Sequence, residues 1–279
     1  MPTGKDQVKM KSTDLQSVFV ACFISLIQVC AFAEPVRVAL QPIQSQQGNS
    51  SLKKLCAALS TPCQLSTTQA YQDPDRPQAY VWLIDESKPM LAKLALGPTQ
   101  PKVLMEWDFK HRVHSAPFSR PNEEPMVIDP ALYLTPTGEK AVALLISERT
   151  GYSGGGKMDT LADFIVVSPP SSDAGDKPLA IYQSVPFESS GIIRACFTKS
   201  EYADAQKQKR RSCHDEFTDE LFISAKRAGN KTGPWVFKRK HVFLSAETRR
   251  KDKTELIVMD IPLNESATHR DKRLREFLE

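Results

Sequence analysis

The residues ALYL (131–134), the turn Pro136-Thr137-Gly138 and the residues AVALLISE (141–148) decide the fold. Two short apolar runs around a Pro- and Gly-containing turn read as a β-hairpin. Pro presets the backbone angle at a turn's first corner, and Gly accepts the positive φ that closes it. The same rhythm continues outward on both sides. Upstream, Val36, Val38 and Leu40 alternate with Arg37 and Ala39, and YVWLI (80–84) is apolar enough for a strand buried on both faces. Further strands are expected at 90–96 and 102–109, separated by Gly97-Pro98. Downstream, strands are expected at 161–167, 179–185, 191–197, 220–225, 235–244 and 255–261. In 235–244, Phe237, Arg239 and His241 alternate before Val242-Phe243-Leu244 runs continuously apolar.

Many short strands without long intervening helices predict an all-β protein, an antiparallel β-sandwich or a small propeller-like β-meander. No fixed repeat period marks propeller blades. Two helices are expected. Ser50 or Ser51 caps a short N-terminal helix carrying Leu52, Leu55 and Leu59 that ends near Pro62. A C-terminal helical tail over 266–279 has Leu274, Phe277 and Leu278 at helical spacing. Residues 69–78, with Asp73-Pro74 and Arg76-Pro77, read as a loop. Residues 111–130, studded with Pro117, Pro121, Pro125 and Pro130, read as a long connection and the one candidate sub-boundary within a β-rich domain spanning 34–265.

The 279 residues carry 37 Lys and Arg against 33 Asp and Glu, a net charge of +4, with 41% hydrophobic and 25% charged residues. Those values exclude a disordered chain, a collagen-like chain and a polytopic membrane protein. They also argue against a dedicated nucleic-acid binder, which carries a larger basic excess.

Residues 1–33 have the pattern of a signal peptide. Lys5, Lys9 and Lys11 precede the apolar run 18–32, which ends in Ala31-Phe32-Ala33, a small-x-small site before Glu34-Pro35. A run of about 15 residues is short for a membrane span and suits a secretory h-region. Cleavage after Ala33 and periplasmic or secreted localisation are therefore expected, with no membrane span left afterwards. Removing that segment takes away Cys22 and Cys30 and leaves Cys56, Cys63, Cys196 and Cys213. An even number in an oxidising compartment predicts two disulfides. The local pairings Cys56–Cys63 and Cys196–Cys213 are favoured, at roughly 2.5 and 3 kcal/mol in the chain-entropy model. Zinc is the competing reading, but no C-x-x-C pair is present and His214 is the only imidazole near a cysteine.

Three features carry candidate chemistry. Gly151-Tyr152-Ser153-Gly154-Gly155-Gly156-Lys157 is a glycine-rich loop of the kind whose N–H groups approach anions or partners. It is not a Walker loop, because Met158 follows Lys157 where Ser or Thr is needed. Gly151-Tyr152-Ser153-Gly154-Gly155 also matches the letters of a G-x-S-x-G nucleophile elbow, but an elbow needs a helix after it and a strand is expected here. Second, Cys213-His214-Asp215-Glu216 sets a histidine beside carboxylates, either an acid–base group or a charged turn after a disulfide. In a strand, His214 and Glu216 point to one face and Asp215 to the other. No metal site is expected: His111 and His114 stand in the Pro-rich stretch without a carboxylate motif.

Third, charge is uneven. Residues 194–253 hold 16 basic and 8 acidic groups, while 34–193 hold 14 and 17. The excess gathers in Lys207, Lys209, Arg210 and Arg211, in 238–240, and in 249–251. Converging, these groups would attract an acidic protein or an anionic envelope component. The expected function is thus an exported, non-enzymatic binding protein, of inhibitor or immunity type. Its candidate binding residues are Tyr152, Ser153, Gly154, Gly155, Gly156, Lys157, Lys207, Lys209, Arg210 and Arg211, with no cofactor and no nucleic-acid partner. The alternative is a secreted serine hydrolase using Ser153 with His214.

Overall fold

AVALL, the start of the 141–148 run, has no polar alternation because both of its faces are buried: Ala141 and Ala143 enter one apolar cluster, Val142 and Leu144 another. The computed structural model describes residues 34–43, 49–110, 126–167, 180–194, 196–207, 213–228, 231–245 and 253–260. Strands β1 (Glu34–Pro35), β2 (Arg37–Ala39) and β3 (Gln41–Pro42) lead into helix α1 (Asn49–Ala57). Strands β4 (Thr68–Gln72), β5 (Tyr80–Asp85), β6 (Met90–Ala95), β7 (Lys102–Asp108), β8 (Val127–Ile128) and β9 (Ala131–Leu134) follow. Then come the long strands β10 (Lys140–Tyr152), β11 (Gly155–Val166) and β12 (Ala180–Arg194), helix α2 (Lys199–Lys207), and β13 (His214–Ala228), β14 (Lys231–Leu244) and β15 (Lys253–Asp260).

The larger sheet is antiparallel, in the order β15-β14-β13-β12-β11-β10-β9-β2, with β8 on β10. It curls until its parts meet. β2 pairs with β9, while β1, just before it, pairs with β13 through Glu34↔Ala225 and Pro35↔Ser224. Val36, between the two, is buried in the core the curl encloses. That core is aromatic: Tyr182 stacks on Trp235 at 5.3 Å, and Phe164 meets Trp235 edge-on at 5.2 Å. The Trp235 indole N–H donates to the Leu134 carbonyl at 2.9 Å. Beside the closure, the Tyr133 hydroxyl donates to Asp129 at 2.6 Å, and Arg37 grips the same carboxylate with two N–H groups at 2.9 and 3.1 Å. Burial, then the Asp129 charge, pushes the Tyr133 phenol well above its ordinary range.

The second sheet has the order β3-β4-β5-β6-β7. Period-two alternation splits its residues between two packings. Trp82, Ile84 and Leu91 share a cluster with Val142, Leu144 and Ile165 of the larger sheet. Val81, Leu83, Ala92 and Leu94 share another with Leu55 and Leu59 at and beyond the end of α1. The layers therefore run α1, small sheet, large sheet, enclosed aromatic core. The protein is mostly β, as expected, with two antiparallel sheets and two helices among the described residues.

The structure corrects several local readings. Residues 68–72 are a strand, not part of a loop: β4 pairs with β5, and the turn begins at Asp73. Asp73 accepts the N–H groups of Asp75 and Arg76 and the Trp82 indole N–H, which explains why the chain turns there. The runs 179–185 and 191–197 are largely one strand, β12, whose register slips against β11 near Leu161 and Phe164. Cys213-His214-Asp215-Glu216 opens strand β13 and is not a turn. Helix α2 was not expected. The C-terminal tail 266–279 and most of the Pro-rich connection, 111–125, lie outside the described residues.

Candidate functional site

The glycine-rich segment is the tip of the β10–β11 hairpin. Tyr152 and Gly155 are its last pair, leaving Ser153 and Gly154 as a two-residue turn. Gly155 has φ +154°, and a Cβ there would collide with the Ile192 carbonyl oxygen, so only glycine lets β11 start this close to β12. Gly155, Gly156 and Lys157 then pair with Ile193, Ile192 and Gly191. Four of the six candidate residues in this segment, Tyr152, Gly155, Gly156 and Lys157, are thus paired strand rather than loop. The Tyr152 hydroxyl donates to the Ile192 carbonyl at 3.3 Å.

Just past the end of β12, the chain enters a disulfide-bounded insertion. Thr198 and Glu201 form a capping box: Glu201 accepts the N–H groups of Phe197 and Thr198 at 2.6 and 2.7 Å, and the Thr198 hydroxyl accepts the Glu201 N–H at 3.2 Å. Helix α2 then runs to Lys207, held by Ala205 against Cys196 and Cys213. Both predicted disulfides are present, with Cα–Cα distances of 5.4 Å for Cys56–Cys63 and 5.2 Å for Cys196–Cys213. Such bonds belong to an oxidising compartment.

The hairpin tip and the start of the basic stretch therefore share one end of one sheet. The two meet at Gly154, where a Cβ would lie 3.8 Å from the Phe197 ring. At that same end, β14 finishes at Leu244 opposite Glu216, and β15 begins at Lys253 opposite Phe243. The exposed side chains there include Tyr152, Ile192, Ile193, Phe197 and Tyr202, which the sequence reading missed apart from Tyr152. Lys157 pairs with Asp159 at 3.0 Å and Lys207 with Asp204 at 3.5 Å. Lys209, Arg210 and Arg211 lie outside the described residues.

Ser153 is exposed in its turn, and a strand follows where an elbow needs a helix. His214 sits opposite Arg194 at the start of β13, with β12 between it and the hairpin. A second polar group, also missed, crosses the sheet in register through Asp159, Ser189, Asp219 and His241. Ser189 donates to Asp159 at 2.7 Å, while Asp219 meets His241 Nδ1 at 2.7 Å and Arg239 Nε at 2.9 Å. Only the strand register, not the sequence, aligns these residues. Asp219 stands between serine and histidine, the wrong order for a Ser-His-Asp relay.

Among the described residues no cluster of His, Cys, Asp and Glu is arranged to hold a metal, and no helix is long and apolar enough to cross a membrane. No protein-family model, curated protein or solved structure matches the chain significantly. The class defined by the fold is a disulfide-bonded, mostly β protein of two curled antiparallel sheets.

Proposed function

We propose that the protein is exported by residues 1–33, cleaved after Ala33, and acts in the periplasm as a non-enzymatic binding protein of inhibitor or immunity type. The architecture fits best a sandwich of two curled sheets. Binding is assigned to the end carrying the 152–157 hairpin and helix α2, with the cations Lys207, Lys209, Arg210 and Arg211 selecting an acidic protein or anionic envelope component. The observation that carries this reading is the juxtaposition of Gly154 with Phe197, which brings two segments about 45 residues apart to one end of the sheet. Exposed aromatics such as Tyr152, Phe197 and Tyr202 are enriched at recognition surfaces.

Photo-crosslinking in the cell envelope tests it. A crosslinker at Ser153 and one at Lys207 are expected to capture the same partner, while one at Lys102, on the other sheet, captures nothing comparable. Equal capture from all three positions, or none from Ser153 and Lys207, would contradict the assignment.

A further inference from the structure

Beyond the binding end, the outer parts of β12 to β15 form a sheet whose two faces differ in an unusual way. Partners across antiparallel strands share a face, so the register sorts the side chains. One face carries Asp219, Arg239, His241, Phe217 and Phe243, all partly buried. The other carries Ile192, Phe222, Val242, Leu244, Leu256 and Val258, interleaved with Glu188, Glu216, Glu220, Lys238 and Lys240. Leu256 and Val258 are 62% and 56% exposed, and Ile192, Phe222 and Leu244 are exposed as well. A solvated sheet face normally reads polar. Large apolar residues on neighbouring strands of an exposed face mark an interaction surface.

We infer that this face binds a second copy of the chain, forming a two-fold symmetric dimer. The charges supply the argument for that occupant. Acidic groups occupy β12 and β13 (Glu188, Glu216, Glu220) and basic groups occupy β14 (Lys238, Lys240); of these, Glu220 and Lys240 match across a two-fold axis, while the register sets Glu216 against Leu244, Lys238 against Phe222 and Glu188 against Leu256. A two-fold axis parallel to the strands and midway between β13 and β14 sets each of these strands opposite the other in the second copy. Because Glu220 and Lys240 are register partners, they lie at one height along the strands. Glu220 of each copy then faces Lys240 of the other, twice over, as an isologous interface requires. Phe222, Val242, Leu244, Leu256 and Val258 are covered around this charged centre. This surface meets the hairpin end at Ile192, Glu216 and Leu244, but its charged pair, Glu220 and Lys240, lies four residues further along β13 and β14, so the charge reversals test the dimer apart from the proposed partner binding.

Sedimentation of the purified mature chain, residues 34–279, over about 1 to 100 µM tests the inference. The weight-average mass is expected to climb from monomer toward dimer. Glu220→Lys and Lys240→Glu each set like charges against each other and are expected to raise the dimer dissociation constant at least about tenfold. Both residues lie in exposed or partly exposed positions, and near-ultraviolet circular dichroism verifies that each variant keeps the aromatic core. Mixing the two variants restores both opposite-charge pairs and is expected to recover dimers that neither variant forms alone. A chain monomeric throughout the range overturns the proposal. So does a dimer indifferent to both reversals, which would use another surface such as the end of the sheet at β15, or a mixture no tighter than its components.

Discussion

Replacing Asp73 by alanine removes one carboxylate that holds four groups. It pairs with Lys93 Nζ at 2.6 Å, accepts the Trp82 indole N–H at 2.9 Å, and accepts the N–H groups of Asp75 and Arg76 at 3.1 and 3.0 Å. The two charged side chains are 1% and 14% exposed, so water cannot substitute for the lost partner. Lys93 also lies over the Tyr80 and Trp82 rings at 4.8 and 5.0 Å, which leaves its ammonium few other ways to turn. Breaking a buried pair from one side costs about 3–5 kcal/mol, because an uncompensated charge remains. That is a large share of the roughly 5–15 kcal/mol that stabilises an ordinary domain. Asp73→Asn keeps an acceptor for the N–H groups and should cost less, about 2 kcal/mol. Combining it with Lys93→Met removes the stranded cation and lays a thioether on the same rings, so the double variant should recover part of the loss. Urea unfolding followed by the fluorescence of Trp82, stacked 6.3 Å from Trp107, measures all three. An Asp73→Ala cost below about 1 kcal/mol, the level of an exposed ion pair, would refute the reasoning.

Acid should expose the same dependence. Burial pushes the Asp73 carboxyl up, but Lys93, the Arg76 N–H and the Trp82 indole outweigh it and hold the group below its ordinary range. Asp85 is likewise raised by burial but lowered further by the Gln64 N–H, Ser87 and Thr67. A carboxyl depressed in the folded state contributes stability above its unfolded pKa of about 4 and loses it as pH falls through the folded value. Urea midpoints should therefore hold from pH 7 to 5 and drop below 4, and Asp73→Asn should flatten that drop. Gly155→Ala should destabilise by more than about 1 kcal/mol through its positive φ and the Ile192 carbonyl, with amide exchange rising at 150–157 before the core is affected. Mass spectrometry without reductant should find Cys56 linked to Cys63 and Cys196 to Cys213, and four free thiols would contradict the pairing. Removing the second bond by Cys196→Ser and Cys213→Ser should cost about 3 kcal/mol or less and make the α2 segment sensitive to trypsin.

The sequence announced what local chemistry controls. The hairpin of 131–148 was legible because the Pro-Gly turn and flanking apolar runs agree, whereas burial of AVALL on both faces emerged only with the second sheet packed against it. Both disulfides were legible because each pair lies within one short segment. Strand β4 was not, because Gln69 and Gln72 face solvent and only pairing with β5 gives the segment its form. Helix α2 shows no apolar stripe, since Ala205 is its only buried residue, although the Thr198…Glu201 capping box was a usable signal. Closure of the large sheet rests on Glu34 meeting Ala225, a contact no local pattern encodes. The same limit hid the candidate site. The glycines and Lys207 were each visible, but the end shared by the hairpin and the disulfide-bounded insertion follows from the registers of β11 with β12 and of β12 with β13. The apolar outer face was hidden for the same reason: alternation identifies a face, and only register says which faces coincide.

The claim that this end of the sheet captures an anionic partner is tested most directly by binding to an immobilised polyanionic glycan, heparin, over a salt series. Affinity should fall steeply as salt rises, and Lys209→Gln, Arg210→Gln and Arg211→Gln together should release the protein at lower salt, while Lys102→Gln, on the other sheet, leaves binding unchanged. Binding indifferent to salt, or a triple variant held as tightly as the unaltered chain, would contradict it.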